Sequence, residues 1–201
     1  MLAILGASGH GKVLADIAEL TGWEDIVFFD DAWPKKTNNG AWRVVGNTQS
    51  LLKSLTEYDG VIVAIGNNKI RQQKLQELSR AGAKTITLIH PSATVSKYTK
   101  IGPGSVVVAG AVINPDCIIG SGAIINTCSS VGHDCILGEA VHICPGARLA
   151  GGTEVGDRAW VGVGSSVRQL IKIGADAIIG AGSAVVKDVT ENTTVMGVPA
   201  K

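Results

Sequence analysis

The chain has 201 residues, with 18 Lys+Arg against 17 Asp+Glu for a formal net charge of +1, 26 Gly, 4 Cys and eight aromatics (2 Phe, 4 Trp, 2 Tyr). That length accommodates one large or two small domains. A near-neutral charge with no basic run leaves no electrostatic footprint for nucleic acid or an anionic membrane surface, and the longest aliphatic-rich stretch, Val106 to Ile113, is too short to span a bilayer.

The amino terminus MLAILGASGHGK has no basic segment before its apolar residues and no cleavage-type site, so the chain reads as cytoplasmic. Four apolar runs follow in the first half: Leu2–Leu5, Ile26–Phe29, Val61–Ile65 and Thr85–Ile89. They have the length and composition of buried parallel strands. Helix candidates lie between them at Lys12–Leu20, Thr48–Leu55 and Ile70–Ala81, the last with Ile70, Lys74, Leu75 and Leu78 at helical spacing. Residues 1–88 are therefore expected to form a small α/β, Rossmann-like doubly wound domain whose binding edge lies at the strand carboxyl ends.

The turn after the first run holds Gly6, Gly9 and Gly11. Gly6 to Lys12 matches the front of a P-loop, but Val13 stands where Ser or Thr must hold magnesium. The spacing also departs from G-x-G-x-x-G, although Asp30 follows at the end of the second strand. What remains is the physics these motifs share, a glycine turn that exposes N–H groups at a helix amino terminus and suits a pyrophosphate. A tight turn without a ligand is the competing reading. Asn67 or Asn68 suits a plain helix cap, and the four tryptophans are scattered as packing residues are.

From Ile89 onward the pattern changes. Every sixth residue from Ile89 to Val185 is Ile, Val or Leu, seventeen in succession. Four places after each aliphatic residue, from Ser105 to Ser183, a second column is small or Val-sized except at Ile171. Glycine often follows the aliphatic residue, where the chain must turn. A six-residue period of this kind is a parallel β-helix over 89–201, with three flat sides and about eighteen residues per coil. Both columns point inward, and the narrow interior explains the shortage of aromatics. Cys117, Cys128, Cys135 and Cys144 form no C-x-x-C pair and are expected to be buried small apolar residues. His133 and His142 lie off the inward columns and are expected to face outward.

The unbroken hexapeptides, the segment Asn126-Thr127-Cys128-Ser129-Ser130-Val131-Gly132-His133-Asp134-Cys135, Val141-His142-Ile143 and the ending Gly197-Val198-Pro199-Ala200-Lys201 resemble the left-handed β-helix acyltransferases. With Gly6-Ala7-Ser8-Gly9-His10-Gly11 and Ala64-Ile65-Gly66-Asn67-Asn68, nearly the whole chain resembles the bacterial nucleotide-sugar acetyltransferases of the PglD/NeuD type, above all the UDP-4-amino-sugar N-acetyltransferases of protein glycosylation. The left hand of the helix comes from that resemblance alone, since the usual crossover rule favours the opposite hand. The resemblance makes His133 the general base, with Asp134 raising its basicity. An amine attacking a thioester becomes more acidic as the bond forms, which suits a base that works near neutral pH. It likewise implies that Gly151 N–H stabilises the oxyanion, a donor of the kind whose removal costs about 3 kcal/mol. His142, Val163 and Ala181 fall at acetyl-CoA contacts. Ser8, Gly9, His10, Asp30, Asp31 and Gly66 fall in a UDP-sugar pocket. The expected assembly is a homotrimer with sites between adjacent β-helices, without metal.

Three other readings compete. Sugar or sialic acid O-acetylation uses the same base and scaffold. A β-helix zinc protein of the carbonic anhydrase kind needs three histidines, of which His133 and His142 supply two. A non-catalytic nucleotide-sugar binding module would lack the CoA-type ending.

Overall fold

Four successive apolar residues, Leu2–Leu5, form β1, and each is at most 2% exposed, as a strand covered on both faces requires. The computed structural model describes all residues, Met1–Lys201. It divides into two units, Met1–Pro91 and Ser92–Lys201. In the first, β1 leads into α1 (Gly9–Leu20), whose Leu14, Ala15, Ile17 and Ala18 recur at helical spacing and are buried. There follow β2 (Ile26–Phe29), β3 (Asn38–Asn39), β4 (Trp42–Gly46), α2 (Thr48–Lys53), β5 (Gly60–Val63) and α3 (Asn68–Arg80). The sheet order is β3-β4-β2-β1-β5, parallel throughout except for β3.

Helices α2 and α3 begin where side chains satisfy their free N–H groups, whereas Ser8 ahead of α1 makes no such side-chain bond. Asn47 and Ser50 form a reciprocal capping box at α2, and Asn67 Oδ1 accepts the Ile70 N–H at 3.0 Å at α3. Two expected strands are shorter than their apolar runs. The chain leaves the sheet after Val63, and the 85–89 run contributes a bridge at Thr85 and a two-residue strand at Leu88–Ile89. Strand β3, Asn38–Asn39, has no apolar residue to announce it, and the β3–β4 turn rests on Gly40 at φ +69°.

In the second unit, two-residue strands recur every six residues and pair in parallel with residues eighteen away, as in Val112↔Ser130, Ile118↔Ile136 and Ile124↔His142. The result is a parallel β-helix with three faces. The first runs from Thr94–Val95 to Ala184–Val185, the second from Lys100–Ile101 to Lys172–Ile173, and the third carries Val106–Val107 to Thr194–Val195. The aliphatic column from Val107 to Val185 packs as one core. All fourteen small-column residues from Ser105 to Ser183 are buried at 1% or less. The polar members are satisfied within the coil stack. Ser105 Oγ donates to Gly120 O, Thr153 Oγ1 to Ala150 O and Ser165 Oγ to Gly180 O. Ile89, first of the series, is exposed, with no coil before it to pack against.

Two expectations about the coils need correction. The glycine after each aliphatic residue does not make the turn. A Cβ at Gly102 or Gly156 would stand 2.5 Å from a main-chain nitrogen of the next coil, so close approach of the backbones is what demands glycine there. The left-handed backbone lies two residues further on, at Asp116, Cys128, Asp134, Ala140, Arg158, Leu170 and Asp176, with φ between 51° and 60°. Cys128, on such a corner, is exposed, unlike Cys117, Cys135 and Cys144. No helix is long and apolar enough to cross a membrane.

Candidate active site

In the first unit, a cavity of about 270 Å³ opens at the carboxyl ends of β1, β2 and β5. Leu5, Gly6 and Ser8 come from the first crossover, Asp30 and Asp31 from the end of β2, and Ala64, Ile65 and Gly66 from the end of β5. Thr48, Ile70 and Lys74 close it from α2 and α3. This is the edge where a doubly wound sheet holds ligands.

The four glycines of this region differ in what they are for. Gly6 has φ +110°, and a Cβ there would meet Ala64 O at 2.8 Å. A Cβ on Gly11 would meet Gly6 O at 2.5 Å. Fold and glycine are inseparable at both. At Gly9 and Gly66 a Cβ would meet no protein atom within 4 Å and φ is ordinary. Nothing in the chain's own packing requires glycine at these two places, which leaves open space for something outside it.

Asp30 is engaged by the chain itself. Its Oδ2 accepts the Ala7 N–H at 2.7 Å and its Oδ1 the Ala32 N–H at 2.9 Å, so it fixes the glycine turn. Lys36 Nζ donates to Ala7 O, and Asn39 Nδ2 to Ser8 O at 3.1 Å, which ties the unforeseen hairpin to the same turn. Asp31 accepts the Thr48 N–H at 2.9 Å and lies 3.3 Å from Lys74 Nζ. Burial pushes its carboxyl up, but the Thr48 N–H and the Lys74 ammonium outweigh that and hold it below its ordinary value. His10, expected in the pocket, does not line it. Its Nε2 is buried without a hydrogen-bond partner, and burial together with Arg71 pushes the imidazole down to about 4.

In the second unit, His133 stands two places after Val131, on the corner that ends the first face. Its Nδ1 lies 2.6 Å from Asp134 Oδ2, so the shorter Asp side chain reaches the ring. With Nδ1–H donating to the carboxylate, Nε2 is the free lone pair. One coil on, Gly151 occupies the same corner. A Cβ there would stand 2.5 Å from both Cε1 and Nε2 of His133, so the imidazole rests on the space glycine leaves. The corner is open, with the two side chains 70% and 66% exposed.

His142 is off the inward column, as expected, but more buried than an outward-facing side chain would be. It lies on the third face and is only 7% exposed. Asn126 Nδ2 donates to its Nε2 at 3.0 Å, and Trp160 meets the ring edge-on at 4.3 Å between centroids. Trp160 is one coil below it, so the eighteen-residue repeat was the signal for that contact. Val163 and Ala181 stack at the exposed corner after the third face, where the Gly182 N–H donates to Val163 O at 2.8 Å. The structure thus groups His133, Asp134 and Gly151 at one corner, and leaves His142, Val163 and Ala181 on another side of the prism. Burial pushes Cys135 up to about 11 and Cys144 up to about 12, so neither offers a thiolate.

Comparison with known proteins places these features in context. Residues 1–78 match the family model of the PglD N-terminal domain. The chain is 37% identical over 159 residues to GDP-perosamine N-acetyltransferase of Escherichia coli, covering 75% of this chain and 70% of that protein. It is 38% identical over 114 residues to UDP-N-acetylbacillosamine N-acetyltransferase of Bacillus subtilis, covering 54% and 51%. Among solved structures, the acetyltransferase domain of PglB from Neisseria gonorrhoeae in complex with acetyl coenzyme A superposes with a TM-score of 0.95 at 42% identity, covering 100% of this chain and 97% of that one.

Proposed function

We propose that this chain, which belongs to the PglD-type family of nucleotide-sugar N-acetyltransferases, moves an acetyl group from acetyl-CoA to the 4-amino group of a UDP-linked amino-dideoxy sugar of the bacillosamine type. The observation that carries the reading is the His133–Asp134 pair, 2.6 Å apart on an open corner, with the ring seated on Gly151. The acceptor amine attacks the thioester carbonyl carbon, and His133 Nε2 takes the proton that the nitrogen sheds. Asp134 holds the tautomer that leaves Nε2 free and stabilises the imidazolium. The Gly151 N–H donates to the oxyanion of the tetrahedral intermediate. When the intermediate collapses, the C–S bond breaks and His133 returns its proton to the departing CoA sulfur. No covalent enzyme intermediate is needed, in keeping with the raised thiols of Cys135 and Cys144.

His142, Val163 and Ala181 take acetyl-CoA in this reading, and the cavity lined by Ser8, Asp30, Asp31 and Gly66 takes the nucleotide sugar, with Gly9 open beside it. His10 is retained only as a neighbour of that pocket. Because the two halves of the acetyl-transfer machinery lie on different sides of one prism, a homotrimer that brings one copy's corner against the next copy's third face completes the site. A cytoplasmic site of action belongs to the same reading, since both substrates are soluble metabolites.

The test is release of free CoA thiol with a panel of UDP- and GDP-linked 4-amino sugars beside their hydroxyl counterparts. Turnover with the amines, fastest with a UDP-linked one, is the expected result. Transfer to hydroxyl acceptors alone would establish the O-acetyltransferase instead, and nucleotide-sugar binding without any thiol release would leave only a binding module.

A further inference from the structure

Arg71 is the largest fully buried side chain of the molecule, 1% exposed, and sequence gave no hint of it, since an arginine on an amphipathic helix reads as solvated. Burial pulls its pKa down only to about 10, so it stays cationic at neutral pH. A buried cation is costly unless it is well hydrogen-bonded. Here Nη1 donates to Ile65 O at 2.9 Å and to Gly66 O at 3.0 Å, and Nη2 donates to Asn68 Oδ1 at 2.9 Å. Ile65 and Gly66 are the part of the β5–α3 connection that lines the nucleotide-sugar cavity. Their peptide bonds are trans, so with both carbonyls drawn onto the guanidinium, the N–H groups of Gly66 and Asn67 point the other way. Gly66 adds no side chain, and the space where one would stand is open.

We propose that Arg71 is a positioning residue for the diphosphate of the nucleotide sugar: it turns the Ile65 and Gly66 carbonyls away from the ligand, leaves the opposite, N–H-bearing side of that loop to the phosphates, and sets a positive charge beneath them. The inference rests on the nucleotide-sugar reading of the cavity. A residue that only supported the fold of this unit would weaken the nucleoside and its diphosphate alike when changed, whereas this role acts on the diphosphate.

The experiment measures calorimetric binding of UDP, GDP and their nucleosides to the full chain, alongside kcat, both KM values and the melting temperature. Arg71→Lys keeps the charge but cannot hold two carbonyls in one plane. It should weaken the tighter-bound nucleoside diphosphate by about tenfold, the effect of losing one charge-assisted hydrogen bond. The KM for acetyl-CoA and the kcat at saturation should stay within twofold. Arg71→Met should lose more, and if it fails to fold, Arg71→Lys decides. Unchanged diphosphate affinity in Arg71→Lys, or an equal loss for the matching nucleoside, overturns the proposal while leaving the cavity's assignment intact. Binding of neither UDP nor GDP by the wild-type chain overturns the assignment itself, and the role of Arg71 with it.

Discussion

His133 is about as exposed as a free surface histidine, yet its ring is fixed from two directions, by the Asp134 carboxylate at Nδ1 and by the Gly151 main chain under Cε1 and Nε2. Asp134 reaches the ring from a left-handed corner, φ 58°, a conformation that Asp and Asn tolerate better than most side chains. These two supports separate chemistry from stability. His133→Ala should lower kcat by about 100- to 10,000-fold with both KM values within a few-fold. Gly151→Ala keeps the N–H proposed to meet the oxyanion but puts a methyl where the imidazole lies, so it should approach the kcat loss of His133→Ala. Its melting temperature should barely move, because the displaced ring is on an open corner. Asp134→Asn preserves the corner and removes only the carboxylate charge, so its loss should be smaller. Steady-state kinetics beside thermal melts check all three, and full turnover in Gly151→Ala would show that the ring's seat is immaterial.

Among the elements, the β5–α3 and β1–α1 connections carry glycines of two kinds, and substitution separates them. Gly9→Ala and Gly66→Ala meet no protein atom, and alanine at Gly9 improves the first turn of α1. Both should keep or gain stability and raise the KM of the nucleotide sugar while leaving that of acetyl-CoA alone. Gly6→Ala and Gly11→Ala should lower the melting temperature outright, since their methyls strike backbone. Melting curves and the two KM values distinguish the pairs. Asp30→Ala is less informative, because that carboxylate also holds the Ala7 N–H in place. The period of the β-helix was legible in sequence because every coil repeats the same interior demand on the same two columns. The left-handed corners were not, since Asp, Cys, Ala, Arg and Leu all occupy them and only the geometry marks the position. The Asn38–Asn39 strand and Arg71 escaped for a related reason: apolar periodicity is blind to pairing by polar residues and to a charge buried by its own hydrogen bonds. His133 and Asp134 were legible because chemistry-bearing residues interrupt a bland surface, while the burial of His142 depended on Asn126 and Trp160 meeting across coils.

At the scale of the whole molecule, the decisive fact is that a three-sided prism has no inside for a site. His133 ends the first face and His142 lies on the third, so one chain presents the proposed base and the proposed acetyl-CoA contact on different sides. The proposed closed trimer about a threefold axis would resolve this, since it sets the same pair of unlike edges together three times. The arrangement makes a quantitative prediction for mixed assemblies. Chains carrying His133→Ala lack the proposed base, chains carrying His142→Ala lack the proposed acetyl-CoA contact, and each alone should be poorly active at limiting acetyl-CoA. Co-expressed at equal levels and assembled at random, they form sites that draw His133 from one chain and His142 from its neighbour. One half of the bases and one half of the acetyl-CoA contacts are intact, so about a quarter of the sites should be whole, and about a quarter of wild-type activity should return. If each chain built its own site, no combination of the two variants would contain an intact one, and the mixture would be no more active than the sum of its parts. Sedimentation of the mixed species, run beside the assay, ties the recovered activity to a trimer rather than to another assembly.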